Sequence, residues 1–275
     1  MIKSKYSFTS HKILVIAGIA LLLMAPLFIK TPYILHIMVL TFYMGSASLS
    51  WSILGGMTGQ TSLGHAAFMG LGAYTSALLL TKAGVSPWIC MVISFVLVGI
   101  LSVIMFYPCF ILKGPYFTLV TIAFGEAFRN LFTNWEFVGK GQGIRIPYQA
   151  EESFVDMRFS TKIPYYFIAL FMFAMIYIVI RVIDRSRLGY ALKTVREDED
   201  TASAIGINPL KYKLIATFLS AGFTAVCGVF YAQYIRFIDP DIMMQTYSVE
   251  YVLPAVIGGI GNISGPVLGA LLLTP

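Results

Sequence analysis

The sequence predicts an all-α, polytopic integral membrane protein with about eight transmembrane or re-entrant segments and Gly-rich broken helices. Three observations carry that prediction. Of 275 residues, 58% are apolar and only 12% charged, against ~25% charged in a soluble domain. Mean hydropathy is +0.80. The apolar residues gather into runs of about 20, the length that crosses a bilayer at ~1.5 Å per residue. A soluble fold of this composition has too little polar surface to cover itself, which excludes soluble enzymes, disulfide scaffolds and disordered chains. Collagen-like and coiled-coil chains are excluded because no such repeat is present.

The segments follow in order. Residues 13–29 form the first run. Lys3, Lys5 and Lys12 precede it, no small-x-small cleavage site follows, and Lys30-Thr31-Pro32 leads into the next run, so it reads as an uncleaved span. The second run, 33–54, ends at the break Gly55-Gly56-Met57-Thr58-Gly59-Gln60, and a small-residue-rich run continues to Leu80. The fourth, 88–112, stops at the tight turn Lys113-Gly114-Pro115, and the fifth covers 116–132. Polar stretches at 133–163 and 184–213 bracket the sixth run, 165–183, and the seventh is 214–234. The last run, 247–257, contains Pro254 and is too short to span. It meets Gly258-Gly259-Ile260-Gly261 and then Gly265-Pro266, a broken or re-entrant pair that is tolerated at depth only when packed in protein or lining a cavity. Residues 1–275 form one membrane domain.

Charge sets the orientation. Of nineteen Lys and Arg, eleven fall on the side of the N-terminus and the 184–213 loop, where the densest cluster directly follows a span. That side is therefore read as cytoplasmic, and 133–163 as external. The net charge of +6 is explained by the lipid bilayer, and no nucleic acid partner is expected. Cys90, Cys109 and Cys227 lie in apolar runs and read as small buried hydrophobes.

No phosphate loop, HExxH or GxSxG motif is present, and Gly139, Gly141 and Gly143 lie outside any strand–helix context and read as a turn. No catalytic residue, metal ligand or cofactor is expected, and the chain is read as a non-enzyme.

The 184–213 loop is the most informative polar piece. Leu188, Ala191, Leu192 and Val195 share one helical face. Lys193–Glu197 and Arg196–Asp200 stand at the i,i+4 spacing of ion pairs. Gly206 suits the position just past a helix end, and Asn208-Pro209 suits the start of the next helix. Two short amphipathic helices in a loop far longer than a connection requires point to a docking surface.

At this point a family resemblance becomes specific. Asp200-Thr-Ala-Ser-Ala204-Ile-Gly206 resembles the E-A-A-x-x-x-G coupling motif of permease subunits of bacterial ATP-binding-cassette importers, departing from it at Asp200 and Thr201. The stretches 59–74, 114–129, 187–200, 204–208 and 257–270 resemble the branched-chain amino acid permeases, LivM-type rather than LivH-type, and together cover roughly residues 30–273. The resemblance implies a subunit that imports branched-chain amino acids across the bacterial inner membrane. It implies a LivH-type partner permease, two cytoplasmic ATPase subunits and an external amino-acid-binding protein. A urea or short-chain amide importer has closely similar permeases, and an ion-coupled secondary transporter is the rival from another class. Family members continue into a last helix and polar tail, whereas this sequence stops at Leu273-Thr274-Pro275.

Two sets of candidate residues follow. Glu197, Asp200, Ala204 and Gly206 form the candidate ATPase-coupling set. Gly59, Gln60, Ser62, His65, Glu126, Arg129 and Gly261 are candidates for the translocation path. Glu126 and Arg129 sit at i,i+3 in the fifth run, as a structural ion pair or as contacts for a zwitterion. The Gly-rich breaks either expose backbone groups to substrate or pack helices closely, with Gly55 and Gly59, and Gly261, Gly265 and Gly269, at small-xxx-small spacing. His65 reads as a buried histidine satisfied by a backbone carbonyl rather than a proton relay. The 133–163 stretch, with Glu136, Glu151, Glu152 and Asp156 balanced by four bases, reads as a solvated loop.

Overall fold

The computed structural model describes residues 22–26, 28, 31–112, 114–147 and 152–274. Lys3, Lys5, Lys12, Lys30, Lys113, Glu151 and most of the 13–29 run lie outside the described residues. In chain order the helices that follow are α1 (Pro32–Thr58), α2 (His65–Ala83), α3 (Pro87–Phe106), α4 (Pro115–Asn134), α5 (Ile163–Asp184), α6 (Arg187–Glu197), α7 (Glu199–Ala204), α8 (Pro209–Ile235), α9 (Gln245–Ile257) and α10 (Gly265–Leu273). Two short strands, β1 (Ile144–Arg145) and β2 (Phe237–Ile238), pair antiparallel.

Proline opens several of these helices, at positions 32, 87, 115 and 209, where its missing N–H has no intrahelical partner to lose. Among the described residues, α1, α3, α5 and α8 are long and apolar enough to cross a membrane. Their burial separates centre from rim: 72% of the spanning window is buried in α1 and α8, but 33% in α3 and α5. The chain is thus a multi-pass membrane protein built around α1 and α8. Where lipid removes the hydrophobic drive between helices, close backbone approach holds them together. A Cβ on Gly72 of α2 would stand 2.1 Å from the Ala225 carbonyl oxygen of α8, and one on Gly228 of α8 would stand 2.0 Å from the Met69 carbonyl oxygen.

Several boundaries differ from the sequence reading. Helix α1 runs through Gly55-Gly56 and stops at Gly59, where φ is +71°. The Trp51 ring fills the space beside Gly55, so the helix is buttressed where composition suggested a break. Helix α3 stops at Phe106, not 112, because Pro108 cannot continue it and the chain turns through the 3-10 segment Pro108–Ile111. Helix α8 starts at Pro209, five residues before the apolar run, with the Asn208 side chain accepting the Lys211 amide.

The short pair at the end is as expected. Helices α9 and α10 return on each other with backbones in contact, since a Cβ on Gly269 would lie 2.0 Å from the Pro254 carbonyl oxygen. Gly265 and Gly269 belong to this packing, whereas Gly261 lies in the turn at φ +90° and Gly59 lies past the end of α1. Neither of those two glycines continues a helical small-xxx-small stripe.

The 133–163 stretch is more than a solvated loop. It folds through 3-10 turns and β1, buries Val138, Ile146 and Met157, and pairs with β2 beyond α8. The Trp88 indole donates to the Phe154 carbonyl at 2.9 Å and the Tyr165 hydroxyl to the Met157 carbonyl at 2.8 Å, which ties the cap to α3 and α5. The amide and hydroxyl of Ser160 both donate to Glu152 and hold its carboxyl below the usual range.

Candidate functional site

The candidate residues occupy three places. The first is the α1–α2 break. Ser62 and His65 are fully buried there, Gln60 is half-buried and Gly59 is exposed. Four side chains, from α1, α4 and α9, engage the break's backbone. Trp51 donates its indole N–H to the Ser62 carbonyl at 2.8 Å, and Thr118 its hydroxyl to the Thr61 carbonyl at 2.7 Å. Thr121 accepts the Leu63 amide at 3.0 Å, and Ser248 accepts the Ala66 amide at 2.9 Å. His65 contacts two hydroxyls instead of the expected carbonyl: Ser62 Oγ lies 3.2 Å from Nδ1 and Ser220 Oγ 2.8 Å from Nε2. A broken helix leaves orphan amides and carbonyls; here several are already satisfied, and the break is packed rather than open.

The second place is the face of α4. Helix α4 buries only Phe117, Thr121, Gly125 and Phe132, one narrow side. Beside that side Arg129 donates from Nε and Nη2 to the Glu126 carboxylate and from Nη1 to Asp241 Oδ1 at 3.3 Å. Asp241 lies in the 3-10 segment Pro240–Met243 between β2 and α9. The ion pair expected at i,i+3 is therefore one half of a triad that ties α4 to the entry of the α9–α10 pair. The side chains are 25%, 45% and 57% exposed for Arg129, Glu126 and Asp241, so the triad opens outward from the chain.

The third place is α6–α7, at the end of the molecule opposite the β1–β2 cap. Ser186 caps α6 by accepting the Gly189 amide, and Asp198 caps α7 by accepting the Thr201 amide. Leu192, Val195 and Ala202 turn inward. Glu197, Asp200, Ala204 and Gly206 are all exposed, and Gly206 takes φ +83° just past α7 with the Ile207 amide donating back to the Ala202 carbonyl at 2.9 Å. The two i,i+4 pairs expected here do not form. Lys193 reaches Asp184 at 2.6 Å, and Arg196 donates to the Gly56 carbonyl at 2.8 Å. The reason is the helix break at Asp198, which takes Asp200 off the α6 spiral, and the fold of α6 back onto the end of α5.

Besides the Lys193–Asp184 contact with α5, two contacts that the sequence did not suggest fasten the unit to α8 and α1. Lys213, with its side chain only 3% exposed, pairs with Glu199 of α7, and Arg196 reaches α1. Gly59 and Gly261, from breaks far apart in sequence, come together around Arg196. The α4 triad and the exposed α7 residues stay apart from that meeting point. Asp241, Ser220 and Lys213 carry no local signal in the sequence, and the local spacing of Arg196 points to Asp200 instead of Gly56; each is recognised only by a partner outside its own helix.

Sequence comparison agrees with this architecture. The family described as "Branched-chain amino acid transport system / permease component" matches residues 33–274. The chain is 29% identical over 247 residues to the high-affinity branched-chain amino acid transport system permease protein LivM of Escherichia coli (strain K12), covering 82% of this chain and 58% of that protein. It is 25% identical over 182 residues, 66% of this chain and 52% of the relative, to a probable branched-chain amino acid transport permease protein LivM of Methanocaldococcus jannaschii. A shorter match, 35% over 88 residues, covers 32% of this chain and 28% of the permease protein LivH of Salmonella typhimurium. The chain thus spans rather more than half the length of these LivM relatives. No solved structure matches significantly. With the family match running from the start of α1 through α10, the chain belongs to the family of branched-chain amino acid transport system permease components.

Proposed function

We propose that this chain is the membrane-spanning subunit of an ATP-binding-cassette importer that moves branched-chain amino acids inward. The observation that carries the reading is the α6–α7 unit. It presents Glu197, Asp200, Ala204 and Gly206 outward while Lys213–Glu199 and Arg196–Gly56 fasten it to α8 and α1. A unit held rigidly on one side and bare on the other is suited to receive motion from an ATPase subunit. In this reading the α6–α7 end faces the cytoplasm, as the Lys/Arg distribution favours, with the N-terminus on the same side. The membrane is the bacterial inner membrane. The partners are a LivH-type permease, two ATPase subunits that hydrolyse the ATP, and an external binding protein.

The translocation path runs along α4, where Arg129, Glu126 and Asp241 open outward toward the partner permease. A zwitterion finds both charge signs there, and alternating access moves one permease against the other. An ion-coupled mechanism is disfavoured because His65 is bonded on both ring nitrogens and Glu126 is paired with Arg129. The test is uptake of labelled leucine by cells with and without this chain, with the partner genes intact and other leucine carriers removed. Loss of uptake, with competition by unlabelled isoleucine and valine, is expected. Unchanged uptake would refute the substrate assignment and move urea or a short amide to the front.

A further inference from the structure

Two glycine-rich turns from opposite ends of the chain meet one side chain. Arg196 of α6 donates from Nη1 to the Gly56 carbonyl at 2.8 Å. That carbonyl belongs to the last turn of α1, where no intrahelical donor remains and the helix end carries partial negative charge. Past it, a Cβ on Gly59 would stand 3.2 Å from Arg196 Cγ. On the other side, a Cβ on Gly261, in the α9–α10 turn, would stand 2.1 Å from Arg196 Nη1. Gly56 itself lies against Gly261, a Cβ there being 3.7 Å from the Gly261 amide nitrogen. The arginine thus fills the hollow that glycine leaves in two separate breaks, while the residue remains exposed to solvent on its outer side.

We infer that Arg196 is a positioning residue that pins α6 to the ends of both broken helices at once. A displacement of α6 then moves the end of α1 and the α9–α10 turn together, and among the described residues the guanidinium is the only charged group that joins them. Arginine is the residue type that does this, because its rigid planar fork can hydrogen-bond a carbonyl and lie flat against backbone, whereas lysine offers a point charge on a flexible stem. That the pin transmits work rests on the reading of α6–α7 as the ATPase docking unit. The pin itself does not.

The experiment is hydrogen exchange on the full chain, purified with the subunits that accompany it in lipid nanodiscs. In Arg196→Gln, amides at 59–64 and 258–264 should both exchange roughly tenfold faster, the effect of losing one charged hydrogen bond. Amides in the centre of α8 should not change. Arg196→Lys should fall between wild type and Arg196→Gln. Gly261→Ala serves as an independent probe, since its added methyl displaces the guanidinium. Its strain at φ +90° is common to any background, so its effect should be smaller when combined with Arg196→Ala than alone. Unchanged exchange at both turns in Arg196→Gln, or additivity in the Gly261 cycle, would overturn the pin. A fall in leucine uptake per ATP hydrolysed in Arg196→Gln is the expected functional result. If both turns loosen while that ratio is unchanged, the pin stands and its transmitting role fails.

Discussion

His65 Nε2 lies 2.8 Å from Ser220 Oγ, and Ser220 has already given its only hydroxyl proton to the Ser50 carbonyl at 2.7 Å. The imidazole therefore donates through Nε2. It accepts through Nδ1 from Ser62, whose Oγ in turn receives the Gly64 amide. This bonding pattern assigns a neutral ring with a fixed tautomer, whose task is to lock the α1–α2 break onto α8. Replacing it with alanine would take one hydrogen-bond partner from each of two buried hydroxyls, at a cost of about 1–3 kcal/mol in all. A lowered Tm of the detergent-solubilised protein is expected for His65→Ala, with partial recovery in His65→Gln, which keeps a donor. An unaltered Tm for His65→Ala would contradict the lock.

The Lys213–Glu199 pair predicts an asymmetry. Lys213 is buried to 3% side-chain exposure and Glu199 only to 30%. Removing the carboxylate leaves an uncompensated ammonium inside; removing the lysine leaves a carboxylate that can turn to water. Glu199→Ala should thus destabilise by about 3 kcal/mol, toward the lower end for a broken buried pair, and Lys213→Met by clearly less. Denaturation of the two variants side by side decides it, and equal losses would argue against the burial-based account.

In the α4 triad Arg129 neutralises two carboxylates, and among the described residues Glu126 pairs with Arg129 alone. Arg129→Ala leaves Glu126 and Asp241 facing each other unpaired. Glu126→Gln leaves the Arg129–Asp241 contact in place. Leucine uptake should fall at least tenfold in the first, by the ~1.5–3 kcal/mol of a charged hydrogen bond, and only a few-fold in the second. The reverse order would show that the acid, not the arginine, organises this face.

Gly206 holds φ +83° with open space where a Cβ would stand. A β-branched residue is disfavoured there by conformation alone, whereas asparagine accepts the left-handed region. Gly206→Val should lower uptake at normal membrane abundance while ATP hydrolysis persists, and Gly206→Asn should retain most of it. Normal uptake by Gly206→Val would remove this turn from the coupling surface.

These residues also mark what was legible in the sequence. Gly206 past a helix end, Asn208-Pro209 at a helix start, the i,i+3 pair of Glu126 and Arg129, and the broken C-terminal pair all follow from local spacing, and all are found. Asp241 and Ser220 are invisible to such reasoning, because their partners Arg129 and His65 lie 112 and 155 residues away. Arg196 was misdirected toward Asp200 for a local reason: i,i+4 spacing has meaning only within one helix, and Asp198 ends one helix and caps another. Lys213 was counted with the loop because it is charged. Its burial depends on Glu199 folding back beneath α8, which hydropathy cannot register. Gly55-Gly56 was read as a break because glycine weakens helices, but the Trp51 ring packed beside Gly55 supports the helix there.

The central claim, that ATP drives leucine inward through this chain, is tested most directly by the initial rate of labelled leucine uptake with the ATP level and the proton gradient varied independently. Uptake that falls with ATP, persists when a protonophore is added at constant ATP, and disappears without this chain is the predicted result. Uptake that collapses with the protonophore while ATP is unchanged would contradict it.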